Sequence, residues 1–190
     1  MQVVPRSYWQ CRRICKFFVL LALLTCVFLS PEPVTAQDVK EEQIKAVFLY
    51  NLTHFVTWPE NVIESSPSFD IGVYGDELFR TVLEKTVKME TKEGRKIVVG
   101  RLSKDTEITD RCRIVFIAAD ALAQWDKLRR KIDFLPILTV SDNKDFTSRG
   151  GMVSLLRQNN KIQIEVNYSA VQQADLTMSA KLLRLAHIVE

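Results

Sequence analysis

The chain has 190 residues, with 26 Lys and Arg against 23 Asp and Glu, and 47% of it is hydrophobic, which is enough apolar material for one buried core. Six Gly, six Pro and four Cys exclude a collagen-like, low-complexity or disulfide-dense chain. Much of the excess positive charge sits at the N-terminus, where Arg6, Arg12, Arg13 and Lys16 precede a 13-residue apolar run (17–29) that Pro31 and Pro33 then end.

This is the layout of a secretory signal peptide, because the run is shorter than the roughly 18 residues a permanent span needs. Cleavage after Ala36 is expected, giving a signal peptide over 1–36 and one mature domain over 37–190, not itself membrane-spanning. Removing the leader takes away four basic residues and one acidic residue and leaves 22 of each sign. A neutral domain has no electrostatic footprint for nucleic acid, and Arg129-Arg130-Lys131 reads as a solvated helix surface. Cys11, Cys15 and Cys26 leave with the leader, so Cys112 is expected to be unpaired.

Within the mature chain, Ile44, Val47, Phe48, Leu52 and Phe55 recur at three- and four-residue steps and predict an amphipathic helix over 39–56, ended by Trp58-Pro59. A polar connection (60–68) leads to short apolar runs at 69–74, 96–102, 113–118 and 136–140. Each run reads as a strand covered on both faces. Helical stretches at 76–88 and 121–132 and a polar bridge at 103–110 separate them, so the pattern is βα units on a largely parallel sheet. Runs at 152–156 and 161–166 around Asn159-Asn160 predict a hairpin that extends the sheet antiparallel. Leu176, Ala180, Leu183 and Ala186 predict a last helix over about 176–189. The expected fold is a single three-layer α/β/α sandwich on a mostly parallel sheet of about six strands, ending in the antiparallel hairpin.

Asp76, Asp120 and Asp142 each follow a predicted strand and share the carboxyl edge of a parallel sheet, where open α/β folds bind ligands. A divalent cation among them is one reading, but helix N-capping is preferred. Gly72-Val73-Tyr74-Gly75 lacks the third glycine of a dinucleotide loop, and Asp76-Glu77 would repel a pyrophosphate. His54 and His187 both fall on predicted helices, with no Cys or His at ligand spacing, and there is no Gly-x-Ser-x-Gly elbow. No catalytic residue, metal or cofactor is therefore expected. Three features exceed a generic core. Asn51 lies on the apolar stripe and is expected to bridge buried backbone groups. Gly150-Gly151 needs positive φ or close backbone approach. Asn167 ends the last strand.

Residues 45–52 (Lys-Ala-Val-Phe-Leu-Tyr-Asn-Leu), with Phe55 and Trp58-Pro59, resemble the opening signature of the YfiR-like family. The resemblance continues in order through 71–75, 112–117, 138–142, Phe146 with Gly150-Gly151-Met152, 164–167, and Leu176 with 179–186. It implies a periplasmic protein that binds the periplasmic sensor domain of an inner-membrane diguanylate cyclase, or a similar sensor protein, and holds it inactive, either alone or as a homodimer. The expected contact positions are Trp58, Glu165, Asn167 and Lys181, with Asn51, Pro59, Gly150 and Gly151 as structural signature. An alternative is a sensor module whose small ligand sits near Gly75, Asp120 and Asp142 and acts on another membrane partner such as a histidine kinase. Members of the family commonly pair a cysteine in the first-strand block with the one opening the 112–117 block. Here Gly72 stands in its place, which leaves Cys112 without that partner.

Overall fold

A computed structural model describes residues 36–102, 108, 111–158 and 161–189. The signal-peptide reading with Cys11, Cys15 and Cys26, nearly all of the polar bridge at 103–110, and the Asn159-Asn160 turn lie outside the described residues. In chain order the elements are helix α1 (Ala36–Phe55), strand β1 (Val56–Thr57), α2 (Glu60–Glu64), β2 (Ser68–Tyr74), α3 (Glu77–Thr86), β3 (Thr91–Lys92), β4 (Arg95–Leu102) and β5 (Cys112–Ile117). A 3-10 turn (Ala119–Gln124) then leads into α4 (Trp125–Ile132), followed by β6 (Leu138–Ser141), β7 (Val153–Gln158), β8 (Lys161–Asn167), α5 (Tyr168–Gln173), β9 (Thr177–Met178), α6 (Ala180–Leu183) and β10 (His187–Val189).

Eight strands form one sheet in the order β10-β8-β7-β6-β5-β2-β4-β3, and β1 pairs with β9 in a separate two-stranded ribbon. The five strands β4, β2, β5, β6 and β7 are mutually parallel. Numbered by their order in the chain they run 2-1-3-4-5, the order of the flavodoxin-like doubly wound fold. Strand β5 is buried along its whole length, as a run with no polar alternation must be when both faces are covered. Residues alternate between faces along a strand, so Phe116 with Val140 and Val115 with Thr139 look to opposite sides. Phe79 of α3 stacks on Phe116 with ring centroids 4.1 Å apart, and α1 packs beside α3 to form one helical layer. On the Thr139 side, α4 and α5 border a small shared cavity together with Thr139 and Met152, which forms the other layer.

Two expectations are corrected. Residues 176–189 do not form one continuous helix. Thr177–Met178 pairs antiparallel with Val56–Thr57, Ser179 caps the short α6, and His187–Val189 joins β8 as an edge strand. Backbone pairing with β8 and β1 outweighs the helical spacing of the side chains, and it raises the strand count above six. Helix α1 forms, but its inward face differs from the predicted one. Ala46, Leu49 and Leu52 are buried with Glu42, Lys45 and Thr53, while Ile44 and Val47 stay 40% and 47% exposed. The helix is apolar on two sides, and the sheet takes the side that also carries the lysine. The predicted connection at 60–68 contains α2, whose N-terminal Pro59 carbonyl accepts from Val62 and Ile63 at 3.0 and 3.2 Å.

Candidate functional site

The fold places its switch point between the carboxyl ends of β2 and β5, where strand order reverses and a crevice ordinarily opens for a ligand. Here the strand ends and the turn that border it are closely packed. The Ala118 amide donates to the Tyr74 carbonyl at 2.9 Å, tying the two strand ends together. Gly75 turns with φ +104°, and a Cβ there would lie 3.0 Å from the side chains of both Ala118 and Ala121. The turn is therefore packed against the start of the 3-10 segment. A glycine is required both for its backbone angle and for the lack of space.

Beside this edge, α1 inserts a charged cluster. Lys45 Nζ lies 2.7 Å from Asp142 Oδ2 and 2.8 Å from Glu42 Oε1, and Lys45 and Glu42 are only 5% and 8% exposed. Asp142 Oδ1 also accepts from the Ala119 amide at 2.8 Å, so this carboxylate joins α1, the end of β5 and the end of β6. Burial alone would lower the Lys45 pKa, but the charge and hydrogen bond of Asp142, with help from Glu42, hold it above the ordinary lysine value. Glu42 goes the other way for a carboxylate. Burial raises its pKa more than Lys45 lowers it, and the charges of Asp76 and Asp142 add to the rise. Its second oxygen, Oε2, is buried without a hydrogen-bond partner.

The three edge aspartates thus have three roles. Asp76 caps α3 by accepting from the Phe79 amide at 2.8 Å. Asp142 is an ion-pair partner, and Asp120 is exposed within the 3-10 segment; the capping expectation is corrected for both. The cation beside Asp142 is the chain's own ammonium group. Among the described residues no group of three or more His, Cys, Asp or Glu is arranged to hold a metal ion. Sequence reasoning missed Lys45 and Glu42 because no local pattern announces a lysine buried against a carboxylate 97 residues away.

The expected contact positions are dispersed. Trp58 is buried, its Nε1 donating to the Arg113 carbonyl at 3.2 Å and its ring meeting Phe69 edge-on, so it is not a surface residue. Glu165 accepts from the Thr147 hydroxyl. Asn167 donates to the Thr147 carbonyl at 3.2 Å and accepts from the Ala170 amide at 3.0 Å, capping α5. Both half-buried side chains are thereby engaged within the chain. Lys181 is exposed, with Nζ 5.8 Å from the centre of the Phe55 ring.

Asn51 is half-buried and makes no side-chain hydrogen bond to a described residue, so the expected buried amide bridge is corrected. Gly150 has φ +82°, and a Cβ on Gly151 would lie 2.2 Å from the Phe146 ring, so the pair divides the two glycine requirements. Cys112 is a free, buried cysteine whose thiol is pushed up to about 11 by burial, which keeps it in the unreactive protonated form. A Cβ at Gly72 would stand 3.2 Å from its sulfur.

Among the described residues no helix is long and apolar enough to cross a membrane. No curated protein matches the chain. A family model described as YfiR/HmsC-like matches residues 42–187, from the buried glutamate of α1 to the first residue of β10. That span takes in the whole charged cluster and every strand of the sheet but the end of β10, and the chain belongs to the YfiR/HmsC-like family.

Proposed function

We propose that the protein is a periplasmic regulator that binds the periplasmic sensor domain of an inner-membrane diguanylate cyclase and holds the enzyme inactive, lowering cyclic-di-GMP. Membership of the YfiR/HmsC-like family supports this reading, since the family is regulatory rather than catalytic. The observation that carries it for this chain is the structural use made of the carboxyl edge. Beside the switch point, where a doubly wound fold would hold a substrate or nucleotide, Asp142 is paired with the Lys45 ammonium and the Gly75 turn packs against Ala118 and Ala121, so these groups serve the fold and the outer surfaces are left to act on a partner.

In this reading Lys181 is a contact residue, exposed and held beside Phe55. Trp58, Glu165 and Asn167 act indirectly by fixing the elements around the contact. Deletion of the gene raises cyclic-di-GMP and matrix production, and the tagged protein recovers a diguanylate cyclase from crosslinked envelopes. Unchanged cyclic-di-GMP together with no cyclase in the recovered complex would refute the proposal.

A further inference from the structure

Strand β4 is only partly covered. Its inner edge pairs with β2 along residues 96–102, but on its outer side β3 pairs with Lys96 and Arg95 alone. The Ile97 amide donates outward to the Glu90 carbonyl. Backbone groups alternate between the two edges of a strand, so those of Val99 and Arg101 also point outward, and no described strand pairs with them. An exposed edge of this kind is a template for one more strand.

The surroundings indicate the character of that strand. A groove of about 460 Å³ runs between α3 and β4, floored by Val87, Ile97, Val98 and Val99. On the opposite face of the same strand Val98 is 42% exposed and a Cβ on Gly100 would meet no described residue within 4 Å, so this edge is open on the side away from the groove as well. Lys85, Lys88 and Lys96 rim the groove, and none of them forms an ion pair with a described residue. The one carboxylate on the rim, Glu84, is paired with Arg80 at 3.0 Å. Surface natives commonly put lysines on an edge to repel other strands, and that repulsion is strongest against a second copy of the same basic edge.

We propose that the outer edge of β4 is a docking site for an extended, acidic segment of a partner protein, which adds as a strand along Val99 and Arg101, seats apolar side chains in the groove and sets its carboxylates against Lys85, Lys88 and Lys96. The proposal deepens the regulatory reading and rests on it only for the readout in cells.

The test uses Val99→Pro and Arg101→Pro. Each removes an outward amide while leaving the β2 ladder, which uses residues of the other parity, in place. A third variant replaces Lys85, Lys88 and Lys96 with Glu. In a deletion strain complemented with each variant, the expected result is that cyclic-di-GMP rises to the deletion level for both proline variants and for the lysine reversal. The purified variants should keep the wild-type melting temperature; if Val99→Pro lowers it, Arg101→Pro decides. Full repression by Arg101→Pro, in a strain where deletion raises cyclic-di-GMP, overturns the edge and leaves the regulatory reading standing.

If deletion leaves cyclic-di-GMP unchanged, the regulatory reading falls and the edge is decided in vitro. The probe is a fluorescent heptapeptide of alternating Glu and Val, read by anisotropy against the purified mature protein. The proposal requires binding that weakens at least tenfold in Arg101→Pro and at least tenfold when the probe alternates Lys and Val. No binding, or equal binding of the acidic and basic probes, overturns it. A wild-type dimer in sedimentation that Arg101→Pro converts to monomer would assign the edge to a second copy and likewise overturn the acidic partner.

Discussion

Replacing Lys45 with Met removes the cation that, among the described residues, joins α1 to the carboxyl edge. The change preserves most of the side-chain volume but withdraws the ammonium from Asp142 Oδ2 at 2.7 Å and from Glu42 Oε1 at 2.8 Å. Removing one partner of a buried pair costs about 3–5 kcal/mol, because the remaining charge has lost its compensation. Two details place this case near the lower bound. Burial holds the Glu42 pKa above the ordinary carboxylate value, which lowers the cost of neutralising this group once the ammonium is gone, and the Asp142 side chain is 18% exposed and retains the Ala119 amide. The expected loss at neutral pH is therefore about 3 kcal/mol, or a melting temperature lower by roughly 6–12 °C for a domain of this size. Urea denaturation of the mature protein measures it. The double variant Lys45→Met/Asp142→Asn should recover at least half of the loss, since the Asp142 carboxylate is then no longer left without its cation. A loss below about 1 kcal/mol, or no coupling in the double-mutant cycle, would refute the assignment of α1 docking to this pair.

Because the Glu42 pKa lies above its ordinary 4.5 when folded, the folded state holds more proton than the unfolded one in that window, and stability falls as pH rises through it. Denaturation midpoints of wild type minus Glu42→Gln, followed from about pH 4 to pH 8, should therefore decline with pH, and a rising difference contradicts the burial argument. Gly151→Ala forces a methyl to within 2.2 Å of the Phe146 ring and should cost about 2 kcal/mol or more, whereas Gly100→Ala, with open space around it, should stay within about 0.5 kcal/mol; calorimetry of both separates close approach from general glycine sensitivity. Gly72→Cys puts a Cβ 3.2 Å from the Cys112 sulfur but 2.6 Å from Leu102, so Gly72→Cys/Leu102→Ala is expected to oxidise to a disulfide, seen by mass spectrometry as the loss of two hydrogens, and to gain about 2–4 kcal/mol over its reduced form. Two freely titrating thiols in the oxidised sample would show that the sulfur is aimed elsewhere.

The parallel core was legible because its strands are short, apolar on both faces and separated by helical stretches, as at 69–74 and 113–118. Helix α1 was legible in extent but not in rotation. Its periodic residues Ile44, Val47, Phe48, Leu52 and Phe55 form a real stripe, yet the inward side is defined by Leu49, Leu52 and Lys45, and the last of these is buried only because Asp142 meets it from the far end of β6. Long-range charge pairing leaves no periodic trace. The C-terminal region failed for the opposite reason. The spacing of Leu176, Ala180 and Leu183 is helical, but Thr177–Met178 and His187–Val189 have β-capable side chains beside unpaired edges of β1 and β8, and tertiary pairing prevailed over local spacing. For the site, Asp142 was singled out for its place after a strand, while its role depended on a helix that precedes it by nearly a hundred residues.

The Lys45–Asp142 contact spans 97 positions of chain, and the end of α1 is stitched to Thr177–Met178 further on still. Local contacts close early in folding and distant ones late, so α1 has no seat until β6 has been made and no fixed end until β9 follows it. Until then Lys45 has only Glu42, one turn away on its own helix, as an ionic partner, so the helix keeps a polar, water-compatible side while the rest of its seat is being built.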